Sequence, residues 1–354
     1  MKKVFLTSML ITGTIIGAGF CSGKEIASYF AKYGFISLLC MPAMFLLYYF
    51  IFKIFLSYGK REKFDTFDDI NLNVFGKLHK LSNIFVFIIY LIFTAAMFAG
   101  IFQIGQMFQS DLLSYLLIAI IFAFAYIMLL KPFNFLAKIN SVLIPISVVL
   151  IITTCVKALT TFEHSSNSLF LMQNNFLLTF SPVIYTCQGL ALAYFIMVKA
   201  GEEMSRKQIK QSALFSSVLL CILQILAIVL FSLNPELMNS PMPLVSAAIK
   251  IGMPYDFIYI LTLFIAIVTT LLATSRGLHE IVTIKVKNKS TSGFVSLILA
   301  LIFSLFGFDK IIEWFYPVIG AIGFVIFVLV LRKSFFVNFF NFANNKVHNS
   351  RKNT

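Results

Sequence analysis

The residues whose types and spacing invite chemistry lie in one stretch, Thr12-Gly13-Thr14-Ile15-Ile16-Gly17-Ala18-Gly19-Phe20-Cys21-Ser22-Gly23-Lys24-Glu25. Four glycines between positions 13 and 23 sit inside an apolar segment at 4–33, although glycine costs about 1 kcal/mol relative to alanine in a helix interior. Two readings are open. Gly13 and Gly17, then Gly19 and Gly23, stand four apart, the small-residue spacing of closely packed membrane helices. Alternatively, the helix breaks at Gly17-Ala18-Gly19 and frees carbonyl and N–H groups, tolerable at mid-membrane only where they line a cavity or bind something. A second stretch, Phe180-Ser181-Pro182-Val183-Ile184-Tyr185-Thr186-Cys187-Gln188-Gly189, also puts proline and polar groups mid-segment. Proline removes an intrahelical hydrogen bond. Thr186 bonded back to its own helix and Gln188 bonded to a neighbouring helix are the plain alternatives, taken singly. Their combination in one segment is harder to assign to packing alone. No HExxH, GxSxG or P-loop is present, nor a membrane-embedded pair of carboxylates or histidines, so an enzyme is not expected.

The elements that must position these residues are membrane helices. Of the 354 residues 60% are hydrophobic and only 12% charged, and the apolar residues form long blocks, the pattern of a polytopic bundle. Ten spans follow: 4–33, 34–58, 81–105, 112–130, 133–156, 177–198, 212–233, 257–275, 293–308 and 311–331. The net charge of +14 marks orientation and not nucleic-acid binding. With the N-terminus inside, all 28 Lys and Arg except Lys24, Lys32, Lys157, Lys250 and Lys310 fall on or near the cytoplasmic side, which sets both termini cytoplasmic. The basic tail at 332–354 is suited to anionic lipid. Met1-Lys2-Lys3 resembles the start of a signal peptide, but the apolar run continues too far and lacks a clear cleavage site. Cys21, Cys40, Cys155, Cys187 and Cys221 lie in apolar spans without CxxC spacing and read as small buried hydrophobes, neither disulfides nor metal ligands.

Between spans, 59–80 mixes charges with Phe64, Phe67, Ile70, Leu72, Val74 and Phe75, and reads either as an amphipathic helix on the inner surface or as a solvated loop. The external loop at 157–176 carries Glu163 and His164, read as solvated. A proline-rich loop at 234–255 surrounds a short helical pattern at 244–251, a lid or a linker. Glu313 lies near the external end of the last span.

The two interrupted segments open corresponding halves, 1–156 and 177–331. Five spans per half put the halves in opposite orientations, the arrangement of inverted-repeat transporters with a site at the repeat interface. Gly13-Thr-Ile-Ile-Gly17-Ala-Gly19-Phe-Cys-Ser-Gly-Lys-Glu25 resembles the first helix of the bacterial YkvI-type membrane proteins, and the stretch from Tyr185 to Gly201 resembles their sixth. These proteins resemble the amino acid–polyamine–organocation superfamily. The resemblance implies an all-α, ten-helix LeuT-type fold with helices one and six broken, and a secondary transporter in the cytoplasmic membrane. Thr14, Gly17, Ala18, Gly19, Tyr185, Thr186, Gln188 and Gly189 would bracket a small solute, with Gln103 and Tyr90 as lining from helix three and Tyr185 as an aromatic gate. Half-helix N-termini suit a carboxylate, making an amino acid or similar solute the default.

The superfamily's sodium site between helices one and eight, matched on the glycine pattern, implies carbonyls of Gly13 and Ile16 with Ala266, Thr269 and Thr270 as a Na⁺ set. The i, i+3, i+4 spacing keeps the last three on one helix face. A second sodium site of the superfamily needs Asn where this chain has Phe20, so that site is expected to be missing. Proton-coupled relatives place a lysine mid-helix five, where Lys138 lies too near the inner end; this favours Na⁺ over H⁺. Glu25 has two readings: a proton site facing the external vestibule, or the plainer one, an ion pair with Lys24 or Lys32. The expected partners are the bilayer and a small solute; no cofactor is expected apart from Na⁺ as coupling ion. The rival function is a membrane receptor or scaffold of the same fold that transports nothing.

Overall fold

The computed structural model describes residues 2–64, 66–131, 133–162 and 176–350. The first apolar segment is three helices in line: α1 (Lys2–Ile15), α2 (Ala18–Ser22) and α3 (Lys24–Tyr29). Gly17 between the first two is extended, with φ −96° and ψ −166°. Gly23 between the next two has φ 81°, a left-handed conformation that a side chain would strain. A 3₁₀ stretch, Ala31–Cys40, turns at Gly34 (φ 66°). There follow α4 (Met41–Glu62), α5 (Phe67–Phe75), α6 (His79–Met107), α7 (Asp111–Leu129), α8 (Phe133–Thr161), α9 (Phe176–Gly201), α10 (Arg206–Leu233), α11 (Pro243–Ile251), α12 (Tyr255–Lys285), α13 (Lys289–Phe303), α14 (Phe308–Lys310) and α15 (Tyr316–Ser350), with a π-helical turn at Ile311–Phe315 before the last.

Among the described residues, nine helical stretches are long and apolar enough to cross a membrane. The broken first segment completes the ten spans read from the sequence. Polar side chains fix several helix ends. Ser205 and Gln208 form a capping box on α10, Thr66 and Asp69 another on α5, and Asn288 caps α13. These satisfy N–H groups that a helix start leaves unpaired.

The expected interruption of the sixth span is corrected. α9 runs unbroken through Pro182. The Thr186 hydroxyl donates back to the Pro182 carbonyl, so the local polar groups are satisfied inside the helix and do not open it. α9 instead serves as a continuous central post, with α1, α4 and α15 packed on it. α12 crosses α6 and α8 and touches α1 and α2. Serines join α1 to α10 without charge: Ser216 Oγ donates to the Ser8 carbonyl at 3.3 Å, and Ser212 Oγ to the Val4 carbonyl at 3.3 Å. Such small polar contacts let membrane helices approach closely.

The segment after α4 is a helix and not a loop. In α5, Ile70 and Asn71 are fully buried. Asn71 accepts from the Tyr194 hydroxyl of α9 and donates to Asn83 of α6. Asn83 in turn donates to Asp68 at 2.7 Å, and Asn73 accepts from Tyr58 at 2.6 Å and from Lys333 at 3.1 Å. α5 is therefore tied to α4, α6, α9 and α15 across one end of the bundle. At the other end α11 buries Pro243, Leu244, Val245, Ala247 and Ala248 and closes over α2 and α3, with Leu244 and Phe231 against the bare Cα of Gly23. Glu163 and His164 lie outside the described residues.

Replacing Asn71 by Ala removes two buried hydrogen bonds, so the thermal midpoint of the purified protein should fall, by roughly 1–3 kcal/mol of stability. Leu72→Ala on the half-exposed face of the same helix should leave it almost unchanged. Equal behaviour of the two variants in a thermal melt would refute the anchoring role.

Candidate functional site

The break in the first segment redistributes backbone hydrogen bonds. In a continuous helix the N–H of Gly17 would bond the Gly13 carbonyl; here it donates to Ile15 at 2.9 Å. Ile16 still donates to Thr12 at 2.8 Å, and Cys21 starts the next turn by donating to Gly17 at 2.9 Å. The carbonyls of Gly13 and Ile16 are left without backbone partners. Both meet Thr270 of α12, whose hydroxyl lies 3.2 Å from the Gly13 oxygen and 3.3 Å from the Ile16 oxygen. Thr270 has one proton for two acceptors. The adjacent Thr269 donates from Oγ1 to the carbonyl of Ala266, one turn back, at 3.0 Å, and all three α12 residues are fully buried.

Chemically this is a set of neutral, hard oxygens with too few protons. Two carbonyl oxygens cannot both be fully satisfied by a single hydroxyl, and buried carbonyls seldom stay underbonded. A small monovalent cation would draw both carbonyls and the Thr270 oxygen towards itself, with Ala266 and Thr269 on the same helix face as reserve ligands. The residues present fit Na⁺. Among the described residues there is no cluster of His, Cys, Asp and Glu that would suit a transition metal.

Beside this set lies a narrow cavity. Gly17 and Thr270 belong to its wall, and so do Glu25, Tyr185, Gln188 and Gly189; Ile15, Phe93, Met97, Leu192 and Tyr316 complete it. The space open to the centre of a water molecule is about 10 Å³, room for a single water. Phe93 and Tyr316 stand with ring centroids 5.0 Å apart, and Tyr185 packs edge-on against Phe30 at 5.5 Å and beside Tyr29 at 5.2 Å. The Tyr29 hydroxyl donates to Gln188 at 2.8 Å.

Glu25 is 6% exposed. Its carboxylate Oε2 accepts from the Tyr185 hydroxyl at 3.0 Å, and the carboxyl lies on the bare backbone of Gly19, where a Cβ would collide with it. The expected pairing with Lys24 or Lys32 does not occur. Those lysines line an open crevice with Glu236 and Asn239, because Gly23 turns α3 so that Glu25 faces inward while its neighbour Lys24 faces out.

Other sequence candidates lie apart from the cavity. Thr14 donates back to Leu10 at 2.7 Å, and Thr186 back to Pro182. Ala18 is buried against α6 near Gly100. Gln103 lines a separate crevice with Tyr115 and Asp309, two turns beyond the cavity's contribution from α6. Tyr90 packs its ring against Gly277 of α12 and does not reach the cavity. The helix-three residues that do reach it are Phe93 and Met97, which share the face of Tyr90 by helical spacing. Their apolar side chains carry no mark in the sequence to separate them from other core residues. Tyr316 is likewise unmarked.

A broken first helix crossing the post formed by the sixth, with the eighth helix at the break, defines the LeuT-type fold of membrane transporters. The solved structures bear this out at the level of fold. A Na⁺-coupled sialic acid symporter in a substrate-bound outward-open state matches with TM-score 0.66 at 11% identity, over 93% of this chain and 78% of that one. Mhp1, a nucleobase-cation-symport-1 family transporter, matches in its closed conformation with bromovinylhydantoin bound (TM-score 0.62, 14% identity, 85% of this chain and 71% of that one). In sequence, the chain is similar to the uncharacterized membrane protein YkvI of Bacillus subtilis strain 168, 23% identical over 324 residues, 89% of this chain and 92% of that one. It is also similar to the uncharacterized protein YyaD of the same strain, 25% identical over 333 residues, 91% and 94% of the two chains. No family model matches. The resemblance to the YkvI-type proteins thus extends along the chain, and the solved neighbours are transporters and not enzymes.

The contact between Gly19 and Glu25 yields a paired expectation. Gly19→Ala should force the carboxyl aside and lower the thermal midpoint, by roughly 1–3 kcal/mol as for other overpacked sites. At Gly189 an added methyl meets Ile15 at an ordinary 3.6 Å, so Gly189→Ala should melt close to the wild type. A melt in which Gly19→Ala is as stable as Gly189→Ala would contradict the placement of Glu25.

Proposed function

We propose that the protein is a secondary active transporter that moves a small solute, an amino acid or a similar molecule, by alternating access coupled to a cation, Na⁺ ahead of H⁺. The observation that carries this reading is the pair of carbonyls, Gly13 and Ile16, released by the helix break and sharing the single proton of Thr270. The same break supplies Gly17 to the cavity, and Thr270 belongs to both places. A cation bound by the carbonyls would fix the backbone conformation that shapes the solute site, and a solute there would hold the carbonyls in place. Each ligand would then favour the other's binding, the reciprocity that coupling requires.

Na⁺ is preferred for two reasons. The ligand set is all neutral oxygen, and α8 carries no lysine between Lys138 and Lys157 to stand in for the ion. Glu25 remains the candidate proton carrier in the alternative. The solute site comprises Gly17, Tyr185, Gln188 and Gly189 from the sequence candidates, with Phe93 and Tyr316 added. The lid formed by α11 and the polar anchor of α5 lie at opposite ends of the bundle, where a rocking mechanism needs its two gates. In this reading 1–156 and 177–331 are the inverted repeats, 332–354 is a basic tail, and the chain resides in the bacterial cytoplasmic membrane with both termini inside, as the distribution of Lys and Arg favours.

The test is uptake into proteoliposomes from a panel of radiolabelled amino acids and small metabolites, with an inward Na⁺ gradient, a proton gradient, or neither. Na⁺-driven accumulation should appear in the wild type. It should drop by about tenfold or more in Thr270→Val, which keeps the shape but removes a cation ligand worth on the order of 1.5–3 kcal/mol. Gradient-independent binding without accumulation would favour a receptor or scaffold instead.

A further inference from the structure

The charge balance of the cavity points to what the solute must carry. Among the described residues Glu25 is the one charged side chain in its wall, and no Lys, Arg or His lines it. Among the described residues no ion pair reaches Glu25, and its recorded hydrogen bond comes from the neutral hydroxyl of Tyr185. An ionised carboxylate removed from water in this way is costly unless a proton or another positive charge joins it.

The remaining walls favour a particular kind of positive charge. Phe93, Tyr185 and Tyr316 surround the same cavity. Aromatic faces attract ammonium groups through the ring quadrupole within about 6 Å of the centroid, most strongly where water is excluded. Gly19 leaves the carboxyl resting on bare backbone, and Tyr29 holds Gln188 in place from the far side. One buried carboxylate with three aromatic rings is the chemistry of an ammonium site. A solute carboxylate in the same cavity would meet Glu25 and find no cationic side chain to offset it.

We infer that the transported solute is a small organic ammonium ion of net positive charge, whose nitrogen binds between Glu25 and the rings of Phe93, Tyr185 and Tyr316. This rests on the transporter reading and narrows its solute from amino acids in general to amines. The ammonium carries the specificity for charge. Because the closed cavity holds only a water-sized space, the solute enters as the rings part and the lid opens.

The test is isothermal titration of the purified full-length protein at constant Na⁺, with choline, ethanolamine, glycine, and the uncharged choline isostere dimethylbutanol. The inference expects choline or ethanolamine to bind at least about tenfold more tightly than dimethylbutanol and glycine, the weight of a charge-assisted contact. Glu25→Gln should abolish this preference while melting as a folded protein without ligand. Phe93→Leu, which keeps an apolar wall but removes a π-face, should weaken choline several-fold and covers the case in which the Gln variant does not fold. Binding of glycine or dimethylbutanol as tight as that of the amines overturns the inference, as does unchanged amine binding in both variants. Sodium-driven uptake of a neutral or zwitterionic solute but no amine, in the same liposomes, would sink the inference and leave the transporter standing. No driven uptake of any solute would remove both.

Discussion

The Thr270 hydroxyl, placed between the carbonyls of Gly13 and Ile16, is the contact on which the rest depends. In a membrane, backbone groups released from a helix must find partners within the protein, and here two acceptors converge on one donor. Everything nearby serves that meeting. α12 brings Thr270 to the break, and Gly17 adopts the extended turn with Thr270 directly over its bare Cα. α9 supplies Tyr185, Gln188, Gly189 and Leu192 to the wall of the adjoining cavity.

The first segment resolves two problems with one set of glycines. The sequence left packing and breakage as alternatives, but the residues divide the roles. Gly17 and Gly23 lie at the two turns, one extended and one left-handed, and Gly19 gives room to Glu25. The left-handed turn at Gly23 sets α3 so that the Glu25 carboxyl points into the protein. An acidic residue one position along from Lys24, which a linear reading assigns to a surface ion pair, therefore becomes the one charged side chain among the described residues of the cavity wall. Tyr185 then reads as its hydrogen-bond partner as well as a ring at the cavity wall.

How much of this could be read from the residues depended on whether a feature marks itself by type. Glycines and a proline in an apolar run are conspicuous, so the broken first segment, the spans and the Gly13, Ile16 and Thr270 grouping were legible once the family's ion site was laid on them. The sixth helix stays whole although Pro182 lies inside it, because Thr186 bonds back to the Pro182 carbonyl and α1, α4 and α15 pack along the helix; none of this shows in the residue types. Gln103 drew attention as a polar residue in an apolar span, but its position on α6 carries it to a separate crevice. Phe93, Met97 and Tyr316 escaped because a cavity-lining aromatic and a core aromatic have the same letters; only the tertiary crossing of α6, α9 and α15 distinguishes them. The buried Asn71 escaped similarly, since its partners Tyr194 and Asn83 lie on distant parts of the chain.

Hydrogen–deuterium exchange of the purified protein in Na⁺ and in K⁺ at equal ionic strength tests the central contact most directly. If the freed carbonyls and Thr270 bind Na⁺, exchange should slow in Na⁺ within 12–23 and 262–275, the two segments that contribute the oxygens, and stay the same over α7 and α13. Identical exchange of those two segments in both salts would contradict a sodium site at the helix break.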